Sequence, residues 1–182
     1  MVMVIVVKYI NKSTKKFDKL EDIFDDNQLN IIYLDCSNNH LNELPVEIGN
    51  LINLRTFHCD NNQLSRLPVE IGHLINLQNF YCDNNQLKEL PVEICHLINL
   101  QEFYCNNNQF KELPIEIINC RNLRQISYYN NEIIMNPIIQ RFINRHRNIK
   151  NHNLYNDGQN VHMSSVQQSI KGSIINLLKD TY

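Results

Sequence analysis

The stretch that decides the fold is residues 51–122, in which one 23-residue sequence occurs three times in succession. The copies are LINLRTFHCDNNQLSRLPVEIGH at 51–73, LINLQNFYCDNNQLKELPVEICH at 74–96 and LINLQEFYCNNNQFKELPIEIIN at 97–119. Partial copies flank them at 31–41 and 123–133, so the pattern L-x-x-L-x-L-x-x-N-x-L occurs five times in phase. A fixed period of this length indicates stacked structural units, each burying its apolar face against its neighbours.

This pattern, with the continuation L-P-x-E-I-x-x-L that begins at Leu67, Leu90 and Leu113, resembles the leucine-rich repeat family and its Ras-group-like intracellular subclass. The resemblance implies an α/β leucine-rich-repeat solenoid with a curved parallel sheet on its concave face. Short helical or 3₁₀ turns are then expected on the convex face, with helical caps. We divide the chain into an N-terminal cap at 1–28, five repeats at 29–135 and a C-terminal helical cap and tail at 136–182.

Within each repeat, the L-x-L segment alternates apolar and polar residues, which predicts a short strand with its apolar side chains inward. The asparagine at motif position nine, for example Asn85, should point inward and bond backbone groups of adjacent turns, giving a structural ladder. We expect Pro68 and its two equivalents at the first position of a helical turn, with Glu70 near the N-terminus of that turn.

The two ends of the array need covers. Residues 1–10 are apolar and β-branched, but too short for a membrane span of about 20 residues, so we predict a capping strand. A short amphipathic helix is expected at 15–25. Asn136 and Pro137 predict the N-cap and first residue of a helix whose apolar stripe is Ile138, Ile139, Phe142, Ile143 and Ile149. A final amphipathic helix should follow a capping box that begins at Ser165.

The cysteines follow the repeat. Cys36, Cys59, Cys82 and Cys105 share one inward motif position, and Cys120 stands where other repeats have leucine. They are therefore interpreted as small core residues with reduced thiols. Extracellular members of the family that the sequence resembles carry disulfide-bonded caps, and no cysteine cluster flanks the array here, which favours a reducing, cytoplasmic location.

Outward positions of successive strands should stack into columns on the concave face. Tyrosine and arginine, the residue types typical of interface hot spots, occur there among carboxylates. The predicted partner-binding residues are Tyr33, Asp35, Arg55, His58, Asp60, Tyr81, Asp83, Glu102, Tyr104, Arg124 and Tyr129. The alternative is that Tyr81 and Tyr104 merely pack on one another.

Other chemistry has weaker support in the sequence. A hydrolase triad could be drawn from Ser37, His58 and Asp60, but an open sheet offers no oxyanion hole or enclosed pocket. A metal site could be drawn from His58, Asp60 and Asp83, yet these residues follow the repeat phase and not a ligand spacing. We predict no catalytic residues, no metal and no cofactor. The basic cluster at 141–152 is interpreted as a solvated helix face, with contact to an acidic partner or RNA as the alternative.

These patterns predict a non-enzymatic, monomeric protein that binds a partner protein through its concave face. The resemblance suggests a small GTPase or another signalling protein as that partner. The alternative is an adaptor whose C-terminal helical tail recruits the partner while the repeats act as a scaffold. A net charge of −2 disfavours nucleic acid and anionic membranes as partners. The segment DGQNVHMSSVQQSI and the abundance of Asn and Ile resemble repeat proteins of giant amoeba-infecting DNA viruses, which would place the protein in host cytoplasm.

Overall fold

The computed structural model describes residues 3–24 and 28–145. In this part of the chain, seven strands form one sheet in the order β2-β1-β3-β4-β5-β6-β7. The strands are β1 Ile5–Tyr9, β2 Thr14–Phe17, β3 Ile31–Asp35, β4 Thr56–His58, β5 Asn79–Tyr81, β6 Glu102–Tyr104 and β7 Gln125–Ser127. The helix α1, Pro137–Arg145, follows the last strand. The predicted solenoid with a parallel repeat sheet is confirmed.

Strands β3 to β7 are parallel, and each pairs with the next at a shift of one repeat. Tyr33 lies opposite Thr56, Thr56 opposite Asn79, and Asn79 opposite Glu102. Because the shift equals the sequence period, one motif position forms one column across the sheet. The register of the whole array is thus set by the 23-residue period.

The core is a stack of equivalent apolar side chains. Phe57, Phe80 and Phe103 are fully buried, with ring centroids 5.5 Å and 5.6 Å apart along the stack. Leucines and cysteines of neighbouring motif positions complete the stack and are fully buried beside the rings. Each repeat therefore buries its apolar face against the repeats on either side.

The asparagine ladder at motif position nine is present as predicted. Asn85 Nδ2 donates to the carbonyl oxygens of Cys59 at 3.0 Å, Cys82 at 3.1 Å and Asp83 at 3.2 Å. Its Oδ1 accepts the backbone N–H of Leu64 at 3.0 Å. Asn62 and Asn108 repeat this arrangement in the neighbouring turns, so one buried carboxamide joins each pair of repeats.

Two further sets of asparagines stabilise the turns, and the sequence patterns did not reveal them. The residue before each ladder asparagine has a left-handed backbone, with φ between 52° and 59°, a region that asparagine tolerates better than most residues. This set is Asn38, Asn61, Asn84, Asn107 and Asn130. The third set is Asn53, Asn76, Asn99 and Asn122, each of which donates through Nδ2 to a carbonyl of the preceding repeat at 2.7–2.9 Å.

The convex turns are 3₁₀ helices: Val46–Asn50, Val69–His73, Val92–His96 and Ile115–Asn119. The prediction that Pro68 is the first helical residue is wrong by one position. Pro68 is extended, with φ −67° and ψ 148°, and its carbonyl accepts the first helical hydrogen bond, from Ile71 N at 3.1 Å. Proline fits here because this N-cap position needs the fixed φ and no N–H donor.

The N-terminal cover differs from the prediction in one part. The segment Lys15–Phe17 of the expected helix lies in β2, which pairs antiparallel with β1. Strand β1 pairs antiparallel with β3 on its other side, so β2 satisfies a strand edge that would otherwise be unpaired. A 3₁₀ helix, Glu21–Phe24, follows and buries Ile23.

At the other end, α1 covers the last repeat. Asn136 Oδ1 accepts the Ile138 N–H at 2.8 Å, which confirms the predicted N-cap. Ile139 and Ile143 are buried, but Ile138 is 58% exposed, so its inclusion in the buried stripe was wrong. One turn of helix separates Ile139 from Ile143, whereas Ile138 points about 100° away. Ile149 and the helix predicted after Ser165 lie outside the described residues.

Candidate functional site

The concave face is formed by the outward side chains of β3 to β7. Strand pairing places Asp35 opposite His58, His58 opposite Tyr81, Tyr81 opposite Tyr104, and Tyr104 opposite Ser127. The columns expected from the sequence are therefore adjacent in space. This register brings most of the predicted partner-binding residues onto one continuous surface.

Four rings on this surface contact one another in sequence, and we call them the aromatic row: Tyr33, His58, Tyr81 and Tyr104. The ring centroids of Tyr33 and His58 are 5.6 Å apart and tilted by 49°. His58 stacks on Tyr81 at 4.3 Å, and Tyr81 stacks on Tyr104 at 5.0 Å. All four side chains remain half-exposed. The row is thus a partly solvated aromatic surface held on a hydrogen-bonded sheet.

A cation from the N-terminal cap already lies on the first ring of the row. Lys8 on β1 is the sheet neighbour of Tyr33, and its Nζ is 4.1 Å from the Tyr33 ring centroid. Ammonium groups at this distance from an aromatic face are attracted by the ring quadrupole. The cap therefore contributes a cation–π contact that the repeat pattern does not predict.

Four carboxylates border the aromatic row: Asp35, Asp60, Asp83 and Glu102. Tyr81 donates its hydroxyl to Glu102 Oε2 at 2.9 Å. The His58 Nδ1 lies 3.5 Å from Asp60 Oδ1. Burial, followed by the hydrogen bond to Glu102, raises the pKa of Tyr81 well above its usual value, so the phenol is a hydrogen-bond donor at neutral pH.

Asp83 is the most constrained of the four carboxylates. Its Oδ1 accepts the Asn106 backbone N–H at 2.7 Å. Burial raises the pKa of Asp83, and the hydrogen bonds from Asn106 lower it in part. The carboxylate of Asp60 adds a smaller repulsion that also raises the pKa of Asp83. The two aspartates occupy the same motif position in neighbouring repeats, two residues beyond β4 and β5, so like charges are adjacent here.

The C-terminal end of the concave face carries neutral groups where the preceding repeats carry aspartates. Asn106 shares the motif position of Asp60 and Asp83, but it is only 4% exposed. Its Oδ1 accepts the Ser127 hydroxyl at 2.7 Å and the Tyr129 N–H at 2.9 Å. Ser127, which shares the motif position of Tyr81 and Tyr104, is 1% exposed, and its hydroxyl is bonded to Asn106. Tyr129 is 40% exposed and extends the surface beyond the aromatic row.

The two predicted arginines are not joined to this cluster. Arg55 and Arg124 are exposed, and in the described part of the chain neither guanidinium lies within ion-pair distance of a carboxylate. They precede their strands by one residue, so they lie beside the columns and not within them.

The hydrolase arrangement weighed from the sequence is not assembled. The Ser37 hydroxyl donates to Asp35 Oδ1 at 2.6 Å and not to His58. Across residues 3–24 and 28–145, the structure shows no group of three His, Cys, Asp or Glu side chains placed to hold a metal ion.

Comparison with protein families identifies the repeat. A model described as Leucine Rich Repeat matches residues 30–51 and 53–74, and a model described as Leucine Rich repeats (2 copies) matches residues 75–116. The chain has a leucine-rich-repeat fold. Neither of the matching families is a catalytic one.

A solved structure of a leucine-rich-repeat protein from Leptospira interrogans is similar, with 34% sequence identity and a TM-score of 0.59. The match covers 65% of this chain and 30% of the Leptospira chain, so the protein spans about a third of its relative's length. The search of curated proteins gave no match.

In this leucine-rich-repeat array the six cysteines are free. Burial raises the pKa of the thiols of Cys59, Cys82 and Cys105 well above the usual value. It raises the pKa of Cys120 to about 12, with a smaller contribution from Cys95. Each buried strand cysteine points its Sγ to a carbonyl of the next strand, as Cys82 does to Tyr104 O at 3.4 Å. The described helices include none that is long and apolar enough to cross a membrane.

Proposed function

We propose that the repeats bind a partner protein through the concave face, with the aromatic row at the centre of the contact. Leucine-rich-repeat domains generally mediate protein–protein interaction, and both family matches are to such repeats. The observation that carries the proposal for this chain is the row itself, four half-exposed rings in contact across four parallel strands.

Aromatic side chains supply large contact areas at a low cost in conformational entropy, because few torsions must be fixed on binding. Here the stacking has already restricted the rings before a partner arrives. Tyr81 is held further by its hydrogen bond to Glu102 at 2.9 Å. Such a surface is preorganised, which reduces the loss of entropy on association.

The alternative, that the tyrosines only pack on one another, is consistent with the 5.0 Å stacking of Tyr81 on Tyr104. It does not account for their exposure or for the continuation of the row through His58 to Tyr33. Stacking alone would require only the neighbouring pair. The two explanations differ in what the rings do for binding, and a paired substitution separates them.

The test is the double substitution Tyr81→Ala with Tyr104→Ala in the full chain. Partners captured by the immobilised wild-type chain are identified, one is purified, and its affinity for each variant is measured by calorimetry. We expect the melt to stay cooperative, with a loss of about 1–3 kcal/mol for two aromatic contacts. Partner affinity should fall by about 2–4 kcal/mol if the tyrosines are anchors. Unchanged affinity would refute the concave-face proposal.

A matched control is Val69→Ala with Val92→Ala, two exposed residues on the convex turns. This pair should leave partner affinity unchanged, because it removes apolar side chains from the opposite face. Deletion of residues 153–182 tests the alternative role of the tail as the recruiting element. Binding should survive that deletion if the concave face carries recognition, and it should be lost if the tail does.

The further assignments are proposals of the same kind. A small GTPase or other signalling protein as partner rests on the likeness of the repeats to the Ras-group-like subclass. The six free cysteines support a reducing compartment such as the cytoplasm, which would be host cytoplasm for a viral protein. We propose that the protein acts as a monomer without enzymatic activity.

A further inference from the structure

We infer that the concave face takes an extended, basic segment of its partner, whose arginine or lysine side chains lie over the aromatic row and between the carboxylates that border it. This inference rests on the proposed function and adds the chemistry of the partner. It is carried by an internal cation–π contact, by carboxylates that lack a Lys or Arg partner among the described residues, and by the spacing of the row.

The internal cation–π contact is an example, within the chain, of the recognition that we infer for the partner. Lys8 is supplied by β1, which lies in the place where a preceding repeat would be, and its Nζ stands 4.1 Å from the Tyr33 ring centroid. The next three rings, His58, Tyr81 and Tyr104, have no such cation among the described residues. Among the described residues, the part of the row that resembles the occupied ring is therefore open to a further cation.

The carboxylates beside these three rings lack Lys or Arg partners. Within the described part of the chain, Asp60 is paired only with His58, at 3.5 Å, and neither Asp83 nor Glu102 forms an ion pair. Asp60 and Asp83 occupy equivalent positions in neighbouring repeats and repel each other. A cation placed between them would relieve that repulsion, while an apolar or acidic segment would desolvate the charges without compensation.

The spacing of the row fits an extended chain. His58 to Tyr104 covers two strand separations, about 10 Å. Side chains on one face of an extended segment are about 7 Å apart, so two basic residues at alternate positions can both contact the row. Arginine matches the site best, because its planar guanidinium can stack on a ring and pair with a carboxylate at the same time.

The experiment measures fluorescence anisotropy of labelled octa-arginine and octa-lysine with the full chain, using an octa-citrulline peptide as the neutral control. Both cationic peptides should bind, and octa-citrulline should not. The first variant is Asp60→Asn, Asp83→Asn and Glu102→Gln together, which keeps the oxygen acceptors and removes three charges. It should weaken octa-arginine binding by about tenfold. The double variant Tyr81→Leu, Tyr104→Leu should weaken it by a similar factor of about ten.

The matched control is Glu43→Gln, Glu89→Gln and Glu112→Gln, three exposed glutamates outside the concave face. It changes the net charge by the same amount, so it reports general attraction between an acidic protein and a basic peptide. Its effect should stay below about twofold, since exposed charges farther than a Debye length are screened. Melting curves of all variants establish that each remains folded.

Equal weakening by the two charge triples would overturn the inference, and so would a wild-type chain that fails to bind octa-arginine. The purified partner separates this failure from failure of the proposed function. If the tyrosine pair abolishes partner binding while the concave charge triple leaves it intact, the face binds a partner but not through basic side chains. If neither variant affects the partner, the proposed function itself fails.

Discussion

Asn85→Ala is the most direct test of how the repeats are joined. Asn85 is 8% exposed, and its carboxamide donates to three carbonyl oxygens and accepts one N–H. Each of the three carbonyls keeps another donor when Asn85 is removed, since Asp83 O also accepts the Asn61 N–H at 2.9 Å. Cys59 O still accepts Asn62 Nδ2 at 3.0 Å, and Cys82 O still accepts Asn108 Nδ2 at 3.0 Å.

The group left unpaired is the backbone N–H of Leu64, whose bond to Asn85 Oδ1 is 3.0 Å. A buried donor without an acceptor costs about 1–3 kcal/mol. We therefore expect Asn85→Ala to lower the free energy of unfolding by about that amount. For a protein of this size, the melting temperature should fall by about 2–4 °C for each kcal/mol.

Denaturant titration measures the total loss, and amide hydrogen exchange locates it. The Leu64 amide should exchange faster in the variant, since its only hydrogen-bond acceptor has been removed. Gln86→Ala is the control, because this neighbouring side chain is exposed and its loss should cost less than about 0.5 kcal/mol. A loss of a few tenths of a kcal/mol for Asn85→Ala, or unchanged protection at Leu64, would refute the ladder as a source of stability.

The substitution Asn85→Asp is a second test of the same site. The carboxylate keeps an acceptor for Leu64 but faces three carbonyl oxygens that need a donor, so its folded-state pKa should be raised. A raised carboxyl pKa means that the ionised form is unfavourable in the fold, and stability should recover as the pH falls toward that pKa and the proton returns. At pH 7 this variant should be less stable than Asn85→Ala; equal stability would contradict the donor role of the carboxamide.

Four further outcomes are expected. In the folded protein Cys95, which is half-exposed, should react with iodoacetamide before the five buried cysteines, a pattern that mass spectrometry detects and that labelling of all six at one rate would contradict. Asp83→Asn should raise stability by up to about 1 kcal/mol at pH 7, because burial raises the pKa of Asp83 and so disfavours its ionised form in the fold. In a denaturation series this gain should vanish below about pH 4, because the wild-type carboxyl is also protonated there. Gly72→Ala should cost about 1–3 kcal/mol in the same assay, since the new Cβ would lie 2.8 Å from Glu93 O. Phe80→Ala should cost about 3–5 kcal/mol, because it empties a fully buried ring position between two stacked rings.

The inward half of each repeat was predictable from sequence because its period fixes both the register and the face. Once the shift between strands equals 23 residues, Phe57, Phe80 and Phe103 must stack, and the ladder asparagines must follow one another. A hydrophobic side chain at an inward position is buried in the core. The same reasoning placed His58 and Tyr81 in one column on the outward face.

The conformation of outward side chains was harder to predict from the sequence, because a solvated side chain can adopt several orientations. Asn106 shares the motif position of the half-exposed Asp60 and Asp83, yet it is buried and accepts hydrogen bonds from Ser127 and Tyr129. The contact between Lys8 and Tyr33 joins the N-terminal cap to the first repeat, so no periodic pattern could reveal it. The sequence also suggested contacts that the structure does not show. Arg55 and Arg124 are close to carboxylates in the motif, but in the described part of the chain they form no ion pair with them.

The N-terminal cover shows why a helical spacing of apolar residues can mislead. Phe17, Leu20 and Ile23 are three residues apart, which suits one face of a helix. The same spacing is satisfied by the end of β2 followed by a 3₁₀ helix, where Leu20 and Ile23 are buried and Phe17 packs against the core. The unpaired edge of β1 decides between them, because a strand partner satisfies its backbone groups and a helix would not.

The departure from strict repetition at Asn106 follows from the charges of the column. Asp60 and Asp83 already place two carboxylates in neighbouring repeats, and the first contributes to the raised pKa of the second. An aspartate at 106 would add a third like charge, and it would lack the side-chain amide of Asn106, whose hydrogen bond to Asp83 lowers the pKa of that carboxyl. Burial acts in the same direction, because Asn106 is only 4% exposed and an ionised group there would be desolvated. This column is therefore acidic at the half-buried positions 60 and 83 and neutral at the buried position 106.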